Sequence, residues 1–212
     1  MITIKIFQFN PFQENTYVLY DETHECVVID PGCYSVKEKE QLTNFISSKN
    51  LKPVKVINTH GHIDHILGIA FVSAKYNIDY YLHRGDSILL NNSSDIGVNF
   101  GMNFEKPAKL PVFVEEGNEI KFGNSVLEVI YTPGHSQGGI CFYCRKDNFL
   151  ISGDTLFDNS IGRTDLFGGN YDTLISSIKS KLFVLPDDCK VYPGHGPETS
   201  IASEKKDNPF FK

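Results

Sequence analysis

Short apolar runs recur along the whole chain, and their period switches between two and 3.6 residues. Residues 2–7, 16–20 and 26–29 carry the β-branched and aromatic runs of strands, and residues 36–49 carry helical spacing. Val54 to Asn58 reads as a short buried strand. Ile66, Leu67, Ile69, Ala70, Val72 and Ala74 then mark the apolar side of a helix reaching about Tyr76. The second half repeats the theme, with strands near 111–114, 119–121, 126–130, 139–144 and 148–151, a helix near 171–180 and a last strand near 189–191. No linker or low-complexity stretch divides the chain, so one domain over residues 1–212 is expected.

Residues Asn91 to Lys109 break the pattern. They are rich in Asn, Ser and Gly yet include Phe100, Met102, Phe104 and Pro107. Two readings are open for this irregular segment: a loop packed over a functional rim, or a surface loop that tucks in its own aromatics.

The turn between the fourth strand and the following helix holds the densest chemistry in the chain. His60-Gly-His62-Ile-Asp64-His65 places four potential metal ligands within six positions. His60 and His62 can converge on one point from the turn, while Asp64 and His65, at the helix start, can aim at a second point beside it. Neutral imidazoles suit a borderline cation such as Zn²⁺, and a carboxylate balances its charge. The same design recurs. His135 lies in Tyr-Thr-Pro-Gly-His-Ser, Asp154 in Ser-Gly-Asp-Thr and His195 in Tyr-Pro-Gly-His-Gly, each just after an apolar run. Glycine lets the backbone bend and approach an ion closely, so these ligands gather on one rim of a sheet.

With these turns, Asn10-Pro-Phe-Gln-Glu-Asn-Thr-Tyr17 and Val28-Ile-Asp-Pro-Gly32, the chain resembles metallo-β-lactamase-fold hydrolases of the glyoxalase II-like group over essentially its full length. The resemblance implies an α/β (α+β) fold, a four-layer αββα sandwich of two mixed β-sheets face to face with helices on both outer faces. It implies one metal held by His60, His62 and His135, a second by Asp64, His65 and His195, and Asp154 bridging them. Asp30 matches a family position that supports the ligand loop. The expected cofactors are two divalent ions, Zn²⁺ first, with Fe or Mn as alternatives. The full-length glyoxalase II enzymes add a helical C-terminal domain that helps hold glutathione; this chain ends seventeen residues after His195, and that domain is not expected.

Composition narrows the partners. A net charge of −6 and scattered Lys and Arg residues give no basic track for phosphates, so nucleic acid is not expected as substrate. No apolar run approaches a membrane-spanning length and no targeting segment is visible, which, with an odd number of cysteines, points to a cytoplasmic protein with reduced thiols. Cys141 and Cys144 fall on opposite faces of a strand, which argues against a paired role. His24 and His83 lie outside the ligand turns and are expected to be ordinary surface or strand-end residues.

The expected reaction is hydrolysis of a small-molecule thioester, of the glutathione-thioester type, or an ester by a water that two ions ionise, with Asp64 as orienting base. A thiolate leaves without general-acid help, whereas an amine must be protonated, and the ligand set contains no further acid. Arg163, in Ser160-Ile-Gly-Arg-Thr-Asp-Leu166, is the candidate for holding a substrate carboxylate, with pairing to Asp165 or a backbone carbonyl as the competing role. The competing activity is that of a mononuclear iron persulfide dioxygenase, which retains similar motifs. Oligomeric state is not specified by the sequence.

Overall fold

The computed structural model describes all 212 residues. The first sheet runs in the order β1 (Thr3–Phe9), β2 (Glu14–Tyr20), β3 (Glu25–Ile29), β4 (Lys52–Ile57), β5 (Tyr80–His83) and β6 (Val112–Val114). Its first three strands are antiparallel neighbours, and β3 to β6 run parallel through helical crossovers. These crossovers hold α1 (Val36–Ser48), α2 (Ile63–Ile66), α3 (Ile69–Tyr76) and α4 (Ser87–Asn99). The second sheet begins with β7 (Glu119–Phe122), β8 (Ser125–Tyr131), β9 (Ile140–Cys144) and β10 (Phe149–Gly153). After the hairpin of β11 (Leu156–Phe157) and β12 (Ser160–Ile161) and the helix α5 (Tyr171–Ser177), it is completed by β13 (Lys190–Pro193) and β14 (Thr199–Ser200). Its order is β14-β13-β10-β9-β8-β7, with β10 and β13 parallel and the other pairs antiparallel. A short helix, α6 (Ile201–Asp207), follows.

Three separate apolar clusters prove the four layers. One unites Tyr17, Leu19, Val27, Ile29 and Ile57 of the first sheet with Phe122, Leu127, Val129, Phe142 and Ile151 of the second. A second lies outside the first sheet, where Val18, Val28 and Val56 meet Leu42, Ile46, Ile69 and Val72 of the helices. The third lies outside the second sheet, where Tyr143, Leu150 and Val191 meet Leu174, Ile178 and Ile201. Adjacent residues of β2, β3 and β10 thus serve opposite cores, which is why those strands read as unbroken apolar runs. Cys141 and Cys144 fall in different clusters, and all five cysteines are buried and unpaired. No helix is long and apolar enough to cross a membrane.

The structure corrects the sequence reading in four places. The helix expected from Ile66 to Tyr76 is two helices, α2 and α3, broken at Gly68, whose N–H donates to Pro31 O at 2.6 Å. A Cβ there would lie 2.5 Å from Cys33 Sγ, so the close approach of the two segments requires glycine. Residues 87–99, nine of the thirteen inside the segment read as irregular, form α4 despite their Asn and Ser content. Burial of Leu89, Leu90 and Ser93 overrides weak intrinsic propensity. Met102 and Phe104 tuck into the outer core, while Phe100 stays exposed against the edge of Phe12. The short strand β5 and the terminal β14–α6 unit were not anticipated, being too brief to show a period. Helix α5 continues beyond its expected core as a wide π-type turn, residues 178–182.

Candidate metal centre

All four ligand-bearing turns open at the same end of the sandwich. The β4 turn supplies His60, His62, Asp64 and His65; the β8–β9 turn supplies His135; the ends of β10 and β13 supply Asp154 and His195. Gly153 has φ +50, and a Cβ on it would lie 2.4 Å from Thr59 Oγ1, so the two sheets touch here because glycine permits it.

Two groups form. His62 Nδ1 lies 2.8 Å from His135 Nε2, which lies 3.3 Å from His60 Nε2. His195 Nε2 lies 3.1 Å from Asp64 Oδ2 and 3.3 Å from His65 Nε2. Asp154 stands between them: Oδ1 is 3.4 Å from His65 Nε2, and Oδ2 is 3.5 Å from His135 Nε2 and 3.6 Å from His195 Nε2. All seven residues singled out as ligands are therefore brought together, and His60 also lies close to His65 and Asp30.

The electrostatics of the two groups differ. Burial, with crowding by His65 and His62, pushes His60 well below the ordinary histidine value, and burial beside His135 pushes His62 down to about 3. These imidazoles are neutral and offer lone pairs. Burial opposes charge on His65 and His195 too, but there Asp64 and Asp154 outweigh it and both hold a proton above the ordinary value. The same contacts overcome burial in the other direction, keeping Asp154 and Asp64 below the usual carboxylate range.

This donor set fits divalent cations. With their ring protons on Nδ1, His135 and His60 face each other through Nε2 at 3.3 Å with lone pairs opposed, and Asp154 Oδ1 is buried without a hydrogen-bond donor. A cation among these atoms resolves both conflicts. The rings of His60, His65, His135 and His195 are held from behind as a metal-binding histidine requires. His135 Nδ1 donates to Arg163 O at 2.8 Å, and His195 Nδ1 donates to Phe12 O at 3.2 Å. His65 Nδ1 donates to Asp30 Oδ2 at 3.1 Å. Thr59 Oγ1 donates to the same carboxylate at 2.6 Å and is positioned to accept from His60 Nδ1 at 3.1 Å. Asp30 thus steadies one ring of each group. It sits at φ 48, a left-handed turn that Asp tolerates and that aims its carboxylate at the ligand loop.

Arg163 is placed differently from a free carboxylate receptor. Its guanidinium forms a bidentate pair with Asp165, at 2.7 Å for both contacts, on the exposed surface, and its main-chain carbonyl anchors His135. His24 is exposed in a turn, and His83 ends β5 with its ring stacked on Tyr131.

Sequence reasoning did not assign the support residues of the Asn10–Tyr17 motif. Asn10 Nδ2 donates to Asp64 O at 3.0 Å and Gly32 O at 3.1 Å. Asn15 Nδ2 donates to Pro193 O and Gly196 O, and Tyr17 OH donates to Pro193 O at 2.5 Å, so this motif grips the His195 turn from both sides. Glu14 is fully buried, accepts from Thr16 Oγ1 at 2.9 Å, and its carboxyl is pushed well up by burial. The signal was the motif's polarity inside an apolar strand, since polar groups so buried must be hydrogen-bonded. The cluster opens to solvent through the partly exposed His62, Asp64, Asp154 and His195, while two cavities of about 440 and 350 Å³ lie away from it.

Residues 9–195 match the family described as the Metallo-beta-lactamase superfamily. A probable metallo-hydrolase of Bacillus subtilis, YqgX, is 39% identical over 202 residues, covering 95% of this chain and 93% of its own. The hydroxyacylglutathione hydrolase GloC of Haemophilus influenzae is 33% identical over 212 residues, covering 99% and 98%. Among solved structures, TTHA1623 in a di-iron-bound form superposes with a TM-score of 0.88 at 33% identity, covering 97% of this chain and 99% of that one. The sandwich, its histidine and aspartate turns and relatives that align almost end to end agree, and the chain belongs to the metallo-β-lactamase superfamily.

Proposed function

We propose that the protein is a metal-dependent hydrolase of small thioesters or activated esters. His60, His62 and His135 hold one divalent ion, Asp64, His65 and His195 hold a second, and Asp154 is shared. The observation that carries this reading is the placement of Asp154, a single carboxylate within 3.6 Å of imidazole nitrogens from both groups. Zinc suits these donors, and iron or manganese are compatible with them. Divalent ions bound here supply an ionised water near neutral pH and polarise a carbonyl. Asp64 is the orienting base: its carboxyl stays ionised, and it accepts a hydrogen bond from the attacking water so that a lone pair faces the substrate carbon.

The leaving group selects the substrate class. A thiolate departs as a stable anion, whereas an amine needs a proton, and the seven side chains of the site are all engaged as ligands. Likeness to the hydroxyacylglutathione hydrolase GloC supports a glutathione-type thioester, and the net charge of −6 argues against nucleic acid.

Thiol release from S-lactoylglutathione by the zinc-reconstituted protein is the test, with His62→Ala as control for a contaminating thioesterase. Metal-dependent release, lost in the variant, is expected. No release from a metal-filled protein, together with oxygen uptake on glutathione persulfide by the iron-loaded form, overturns the reading in favour of a persulfide dioxygenase.

A further inference from the structure

One fully buried carboxylate close to the centre belongs to neither ligand group. Asp86 ends the short turn after β5, and its side chain reaches two ligand turns at once. Asp86 Oδ2 accepts from Gly61 N at 2.8 Å and from Ser136 Oγ at 2.8 Å, and Oδ1 accepts from Gly138 N at 2.5 Å. Gly61 separates His60 from His62, and Ser136 follows His135.

The backbone around this carboxylate is packed to the limit. A Cβ on Gly138 would lie 2.5 Å from Asp86 N, and one on Gly85 would lie 2.6 Å from Gln137 O. A Cβ on Gly61 would lie 3.1 Å from Asp86 Cβ. Three segments, residues 60–62, 84–86 and 136–138, therefore meet around one side chain. His60 and His62 arrive from the first sheet and His135 from the second, so their separation is set by how the two turns dock rather than by the chain between them. The other group is held elsewhere, by Asn10 on Asp64 O and by Asn15 and Tyr17 on the His195 turn.

We infer that Asp86 is a positioning residue for the His60–His62–His135 group, a buried strut that fixes the spacing of these three imidazoles and hence the affinity for the ion they hold, while leaving the Asp64–His65–His195 group intact. This rests on the ligand assignment of the proposed function.

Asp86→Asn preserves shape but replaces one oxygen with an NH₂ group. Whichever way the amide turns, that group faces a donor, either Gly138 N–H or the Gly61 N–H and Ser136 hydroxyl pair. Zinc binding to metal-free protein is titrated by calorimetry against a competing chelator, with His62→Ala and His195→Ala marking the two sites. The expected result is a loss of about 10–100-fold in affinity at the site that His62→Ala abolishes, with the His195-dependent site within about twofold of wild type. Ser136→Ala, which removes one of three donors and leaves the backbone contacts, is expected to weaken the same site a few-fold and decides the matter if Asp86→Asn does not fold. Unchanged affinity at the His62-dependent site, or equal loss at both sites alongside a lowered melting temperature, overturns the inference. Wild-type protein binding fewer than two ions refutes the dinuclear reading separately, because an ion at the His62-dependent site still reports on Asp86.

Discussion

Gly194 lies between the end of β13 and His195, and replacing it with alanine tests how tightly the centre is built. Both its backbone groups are used, its N–H by Gly153 O and its carbonyl by Asn15 N, each at 2.8 Å. Its φ is outside the left-handed region, so alanine is allowed by the backbone and the penalty is purely steric. The added Cβ would lie 2.1 Å from Asp154 Oδ1 and 2.7 Å from His65 Cε1. Ordinary contact begins at 3.4 Å, so one or both side chains must yield by about 1 Å. Overpacking of this kind costs about 1–3 kcal/mol, or a fall of about 2–12 °C in Tm for a chain of this length. A displacement of about 1 Å at reacting groups costs about 100-fold in rate. Gly194→Ala is therefore expected to fold, melt a few degrees early, and lose about two orders of magnitude in kcat/KM. Circular dichroism melts, metal content after gel filtration and thiol release from one thioester report the three quantities. Gly117→Ala is the control: at φ +78 with nothing within 4 Å, it pays about 1–2 kcal/mol of backbone strain and leaves turnover unchanged. Activity of Gly194→Ala within threefold of wild type, at full metal content, would refute the premise that Asp154 and His65 have no room to move.

Three further expectations follow from the two ligand groups. His60 and His62 are depressed and already neutral above about pH 6, whereas a metal must displace protons from the raised His65 and His195. As pH falls through those raised values, the ion of the second group leaves first; metal analysis after dialysis from about pH 8 to about pH 5.5 checks this, and parallel loss of both ions contradicts it. Tyr17→Phe removes the phenol hydrogen bond to Pro193 O but leaves that carbonyl satisfied by Asn15, so the cost is about 1 kcal/mol, read as about 2–4 °C in Tm, with weakened metal retention only at the His195 group. Chelation lowers Tm: an ion held at about 1,000 times its Kd contributes about 4 kcal/mol, which scanning calorimetry with and without chelator resolves.

The residues that converge at the centre were legible in the sequence because each sits in a turn directly after an apolar run, and glycine beside His60, His135, Asp154 and His195 marks the close approaches. The layered fold followed from strands that serve two cores. Asp86 was not legible. Its partners, Gly61, Ser136 and Gly138, lie up to 52 residues away, and nothing local distinguishes Arg84-Gly-Asp86 from an ordinary surface turn. Helix α4 was hidden for a related reason, since its Asn residues describe the exposed face while a few buried residues, Leu89, Leu90 and Ser93, decide its conformation.

The supports divide more cleanly than the ligands do. Asp86 acts on the turns of His60, His62 and His135, and the Asn10–Tyr17 motif acts on Asp64 and His195, through hydrogen bonds that share no atom. Asp154 and Asp30 are the residues that address both groups, Asp154 from within and Asp30 from behind through His65 and Thr59. Perturbations at Asp86 and at Tyr17 should therefore add in a double variant, because separate sites without shared partners behave independently. Either one combined with Asp154→Asn should fall short of additivity, since loss of the shared carboxylate already weakens the group that the other change would damage. Measured zinc affinities for the three double variants separate these outcomes, and non-additivity between Asp86→Asn and Tyr17→Phe would mean that the two halves are mechanically coupled through the sandwich rather than through the carboxylates alone.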